Sequence, residues 1–165
     1  MTAGCFMRVN IIAAGKLKER YLKEGIAEYS KRLSRFCDLT ITEVEDEQAP
    51  ENLSDAQQEQ VKRKEAARIL GKIKDGDFLI VLDVKGTRKS SEEFASVLKK
   101  CMTGGRSNIT FVIGGSLGLD EVLVKKADLR LSLSDMTFPH QLTRLIILEQ
   151  IFRAFKIING ETYHK

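Results

Sequence analysis

A chain of 165 residues with 42% hydrophobic and 30% charged residues falls in the ~100–200-residue range of one domain and can bury a core. Its apolar runs stop short of the ~18 residues of a membrane span, so no membrane partner is expected, and its net charge of +4 suits a polyanion such as RNA. Cys5, Cys37 and Cys101 are far apart and form no C-x-x-C or Cys/His cluster, which speaks against a disulfide framework or a metal site and fits a reducing, cytoplasmic setting.

Met7 followed by "RVNIIAAG" reads as a natural chain start, which leaves residues 1–6 as an extension, either an expression remnant or an alternative upstream start. From there strand-like runs alternate with helical patterns. "RVNIIAA" precedes a helix over 19–36, "LTITEVE" one over 54–73, "DFLIVLD" one over 91–102, "ITFVIGG" one over 119–126, and "LRLSLS" one over 139–158. Ser54 with Gln57 and Ser90 with Glu93 have capping-box spacing. Repeated βα units with apolar strands predict an α/β single domain, a parallel sheet covered by helices on both faces. The polar stretch "EDEQAPENLSD" (45–55) is expected to be mobile.

In an open parallel sheet the ligand crevice lies at the carboxyl ends of the strands, here at the loops "DVKGTRKSS", "GGSLGLD" and "SDMTFPH". The second matches G-x-S-x-G, the nucleophile elbow of serine hydrolases. Ser116 with Asp120, Asp128 or Asp135 and then His140 or His164 would complete the order serine, acid, histidine. Against that reading, the chain is short for such a hydrolase and no HGGG-like oxyanion loop follows an earlier strand. The loop also fits neither the dinucleotide nor the phosphate-loop pattern. What remains is a turn whose glycines bring backbone N–H groups close to a ligand.

The stretch after the last strand has Pro139 near the first helical turn and Gly160 just past the end, and the helix between them would run roughly 30 Å. Leu142, Leu145, Ile146, Leu148, Ile151, Phe152, Phe155 and Ile158 cover more than one stripe of it. One stripe can lie on the sheet and the other calls for a second copy of the chain, hence a homodimer. His140, directly after Pro139, reads first as a structural hydrogen-bonding group, with catalysis as the alternative.

Four stretches, "AAGKLKERYLKEGIAEYSKRL", "VEDEQAPENLS", "FVIGGSLGL" and "LSLSDMTFPHQLTRLIILEQIFRAFKIINGETYHK", resemble a family of small bacterial methyltransferases of the SPOUT class. Its members methylate N3 of a pseudouridine in 23S ribosomal RNA. The resemblance runs from Met7 to Lys165. It implies a C-terminal trefoil knot, S-adenosylmethionine (SAM) as cofactor, a homodimer, and the ribosome with its 23S rRNA as partner. It places Leu82, Gly114, Leu133, Ser134, Asp135, Met136, Thr137 and Phe138 around the cofactor.

Methyl transfer to a pyrimidine N3 needs in-line placement and removal of a weakly acidic proton or stabilisation of the anion. His164 can accept the proton near neutral pH, and Arg144 or the Tyr163 hydroxyl can stabilise charge on a base carbonyl. Tyr163 could equally stack on an extruded base. Thr162 stands where the family often has proline. A tail beyond so long a helix is expected to reach the partner's pocket rather than its own. A non-catalytic ribosome-binding factor with a vestigial pocket is a further alternative.

Overall fold

A computed structural model of the chain describes residues 6–163. The proposed extension, apart from Phe6, and the tail histidine His164 lie outside the described residues.

In β1 (Met7–Ala14) the residues Met7, Val9, Ile11 and Ala13 join one core, while Ile12 and Ala14 join another. This is the period-two alternation of a strand covered on both faces. The helix α1 (Arg20–Leu33) leads to β2 (Cys37–Val44), and α2 (Asp55–Leu70) to β3 (Phe78–Arg88). The chain continues through α3 (Ser91–Thr103), β4 (Asn108–Ile113), α4 (Glu121–Lys126), β5 (Leu129–Ser132) and α5 (His140–Ile158). The five strands form one sheet in the order β2-β1-β4-β3-β5, every pairing parallel. Ile26 and Leu33 of α1 and the buried apolar residues of α3 and α5 belong to the first core, and Ala66 and Ile69 of α2 with Leu123 of α4 to the second, so helices cover both faces as expected.

Both capping boxes form. Ser54 Oγ accepts from the Gln57 N–H at 3.2 Å while Gln57 Oε1 accepts from the Ser54 N–H at 2.9 Å, and Ser90 and Glu93 repeat the exchange at 3.1 Å each way. Each cap contributes about 1 kcal/mol to its helix.

α5 packs between α1 and α3 on the first core. Phe155 stacks on Phe36 at 5.5 Å between centroids, and Phe152 meets Tyr29 and Phe36 edge-on at 6.2 and 6.0 Å. Much of the second apolar stripe of α5 is therefore covered by the chain's own α1 and α3, a pairing that helical periodicity alone does not reveal. Leu142 and Ile146, four residues apart and so on one side of the helix, are half-buried and belong to neither core.

β3 departs from the expected strand by continuing past Asp83. Its pairing with β5 shifts register between Leu82 and Thr87, so both face Leu131 and the residues between them leave the ladder as an excursion. Gly86 allows this, because a Cβ there would lie 2.6 Å from the carbonyl oxygen of Arg130.

Candidate active site

The β3 excursion, the turn after β4 and the loop after β5 enclose a cavity of about 510 Å³ at the carboxyl ends of these strands. Its size is that of a small-molecule site, and apolar Leu82, Leu133, Met136 and Phe138 line it together with Gly114, Ser134 and Thr137. Seven of the eight residues expected around the cofactor thus share one cavity. Asp135 does not line it. Its carboxylate instead accepts from Arg88 Nη1 at 2.6 Å on the exposed outer side of the loop. Within the loop the Met136 N–H donates to Ser134 Oγ and Ser132 Oγ donates to the Ser134 carbonyl, each at 3.0 Å.

The glycine turn is tightly closed. The Gly118 N–H donates to the Gly115 carbonyl at 3.0 Å, with Gly118 at φ +86°. A Cβ on Gly114 would lie 3.0 Å from the Gly118 carbonyl group and 2.9 Å from a Leu119 methyl. Glycine at 114 is therefore required to close the turn itself, before any ligand approaches.

Ser116 and His140 both line the cavity, but the acids that would complete a triad are engaged elsewhere. Asp120 caps α4 by accepting from the Val122 N–H, Asp128 accepts from the Leu79 N–H and pairs with Arg106, and Asp135 pairs with Arg88. No non-glycine residue among those described has positive φ, so Ser116 lacks the strained backbone of a nucleophile elbow.

His140 begins α5 half-buried, between this cavity and a neighbouring one bordered by Gly15, Lys16, Glu43, Asp46 and Gln141. Burial, and then the Arg144 cation, lower its pKa below the ordinary value and so favour the neutral ring, while the Asp46 carboxylate opposes them by favouring the imidazolium.

Arg144 is 1% exposed and does not line the cavity. Its Nη1 donates to Glu43 at 2.6 Å, and its Nη2 to the carbonyls of Ala14 and Gly15 at 3.1 and 2.7 Å. Only Nε lacks a hydrogen-bond partner among the described residues. This guanidinium ties the end of β1 to the first turns of α5.

The tail turns at Gly160, with φ +66°, and Glu161 pairs with Arg35 and Lys156 at 2.9 and 2.8 Å. Tyr163 then lies on its own α5. Its ring meets Phe152 edge-on at 5.0 Å, the Arg153 guanidinium sits 4.8 Å from its centroid, and its hydroxyl donates to Glu149 Oε1 at 3.3 Å. Burial, then Tyr29 and Glu149, raise the phenol above its ordinary pKa and keep it protonated. Glu149 and Arg153 are joined at 2.7 Å, an i,i+4 acid–base pair that in sequence looks like ordinary helix surface.

A parallel sheet with a glycine turn and an apolar cavity at its carboxyl edge is the arrangement in which open α/β proteins bind their ligands. Residues 7–164 match the family described as "Predicted SPOUT methyltransferase", and the chain belongs to that family, whose knotted fold class is the one the C-terminal motifs imply. The protein named ribosomal RNA large subunit methyltransferase H in Acetivibrio thermocellus is 63% identical over 159 residues, covering 96% of this chain and 100% of that protein. The protein of the same name in Listeria monocytogenes serovar 1/2a is 57% identical over the same shares. A crystal structure of a methylase family protein from Neisseria gonorrhoeae shares the fold, with a TM-score of 0.56, 14% identity, and coverage of 100% of this chain and 90% of that one.

Proposed function

We propose that this chain is a SAM-dependent methyltransferase acting on N3 of a pseudouridine in 23S rRNA. In this reading it works as a cytoplasmic homodimer on the assembled ribosome. The observation that carries it is the meeting of Leu82, Gly114, Leu133, Ser134, Met136, Thr137 and Phe138 around one cavity in a chain of the SPOUT methyltransferase family.

The residues fit the cofactor. Leu133, Met136 and Phe138 offer apolar surface to an adenine, the backbone of the 133–138 loop offers hydrogen bonds to its edge, and the turn at Gly114 brings backbone close. Asp135 serves from outside, its ion pair with Arg88 bracing the loop against the end of β3. When bound, SAM supplies an electrophilic methyl group on a sulfonium.

His164 is assigned the N3 proton, and Tyr163 a hydrogen bond to the carbonyl on which negative charge collects. Both come from the partner subunit, because Tyr163 sits beside Glu149, ~14 Å along α5 from His140 at the cavity. Arg144 enters as the group that fixes β1 to α5, its Nη atoms being occupied. Leu142 and Ile146 are assigned to the subunit contact, since neither core takes them up. The basic groups Lys16 and Lys18 border the neighbouring cavity on the other side of His140 and are assigned to the polyanionic substrate.

The test is calorimetric titration with SAM followed by transfer of a labelled methyl group to ribosomes that lack the modification. Binding with label recovered in 23S rRNA is expected. Binding without transfer would favour a non-catalytic ribosome-binding factor, and no binding would remove the reading altogether.

A further inference from the structure

Glu65 on α2 is 4% exposed, although the surrounding "VKRKEAAR" reads as a solvated helix face. Its carboxylate lies against the glycine turn. A Cβ built on Gly115 would stand 2.9 Å from Glu65 Oε1 and 3.1 Å from Oε2. On its other side Oε2 accepts from the Glu47 N–H at 3.0 Å. Arg68, one turn further along α2, donates to the Glu45 carbonyl at 2.9 Å and pairs with the Glu47 carboxylate. α2 thus holds the segment 45–47 with two side chains and meets the cavity wall at Gly115 with one of them.

We infer that Glu65 is a positioning residue for the cofactor, its buried carboxylate bracing the Gly115 turn against the 45–47 segment. The inference rests on the reading that the cavity holds SAM. A buried acid is costly unless its oxygens are used. Burial raises the Glu65 pKa, the Glu47 N–H and Arg68 oppose that shift, and Asp46 and Glu47 add to it. Gly115 does not have positive φ, so no left-handed backbone demands glycine there, and the Glu65 carboxylate is what its Cβ would meet.

The experiment is a double-mutant cycle read by SAM calorimetry and by methyl-transfer kinetics on the full-length protein. Glu65→Ala is expected to weaken SAM binding about tenfold, and Glu65→Gln, which keeps shape and one acceptor, to restore it to within about threefold of the original protein. The KM for SAM should rise while kcat stays within about twofold, a split that general loss of folded protein would not produce. Gly115→Ala should also weaken binding, because its Cβ displaces the carboxylate. Adding Glu65→Ala to Gly115→Ala should recover part of the loss, because the new methyl group then has space. Where Glu65→Ala yields no folded protein, Gly115→Ala alone and combined with Glu65→Gln decides the matter. Unchanged affinity in Gly115→Ala and the Glu65 variants, or losses that simply add, overturns the inference. Failure of the unsubstituted protein to bind SAM would instead defeat the functional reading beneath it.

Discussion

The Tyr163 hydroxyl donates to Glu149 Oε1 across 3.3 Å, which places Tyr163 about two and a half turns of α5 away from His140 and the cavity. Removing the tail outright would take from Phe152 one of its three ring partners and break the pairs of Glu161 with Arg35 and Lys156. Point substitutions separate chemistry from packing. Tyr163→Phe combined with His164→Ala keeps the ring and should lower methyl transfer about a hundredfold while SAM affinity is retained, as calorimetry and single-turnover transfer would show. Transfer at the original rate would end the assignment of these two residues.

Gly114 is expected to be intolerant for two reasons at once. A Cβ clashes with the Gly118 carbonyl group, so Gly114→Val should lose SAM binding and also about 1–3 kcal/mol of stability in urea unfolding. Thr137→Arg, at an exposed position of the cavity lip, should abolish SAM binding by bulk and by repulsion of the sulfonium with stability preserved. If Gly114→Val kept its stability and lost only the ligand, the glycine would serve the cofactor rather than the turn.

Arg144→Met would remove the guanidinium from the carbonyls of Ala14 and Gly15 and leave the Glu43 carboxylate with the Leu17 N–H alone, at about 1–3 kcal/mol. Arg144→Lys should recover part of this, since one ammonium cannot reproduce the fork that serves three acceptors. Chemical unfolding measures the cost. A loss of methyl transfer with full stability would instead return Arg144 to the reacting base.

Burial, with Asp38 adding to it, pushes the Cys37 thiol from 9.0 up to about 12. The folded state therefore holds this proton where the unfolded chain releases it. The stabilising contribution is complete below pH 9 and declines by about 1.4 kcal/mol per pH unit until the folded thiol itself ionises near 12. Comparing the unfolding midpoints of the original chain and Cys37→Ala at several alkaline pH values isolates this slope, since all other titrations are common to both. Parallel curves would show that the thiol is not shielded.

The sheet, its covering helices and both capping boxes were legible because each rests on local spacing: β1 alternates in period two, and Ser54 and Ser90 find their partners three residues on. The cavity was legible as strand ends. What spacing could not show depends on long-range pairing. The Asp135 carboxylate pairs with Arg88, 47 positions away. The Arg144 guanidinium pairs with Glu43, 101 positions away. The second stripe of α5 called for a partner because nothing local says that Phe36 and Tyr29 will cover Phe152. Glu65 was hidden among basic neighbours on a helix whose buried side is short.

The central claim, that one subunit holds SAM and the other supplies the tail, is tested most directly by mixing two inactive proteins. One carries Thr137→Arg and cannot bind the cofactor. The other carries Tyr163→Phe with His164→Ala and cannot complete the reaction. In a heterodimer, the one pocket that still binds SAM receives the intact tail. Methyl transfer to ribosomes should return as mass spectrometry shows subunits exchanging, reaching about half the original activity per heterodimer, as one working site of two requires. Confirmed heterodimers without activity would contradict the account and place the tail's chemistry within its own chain.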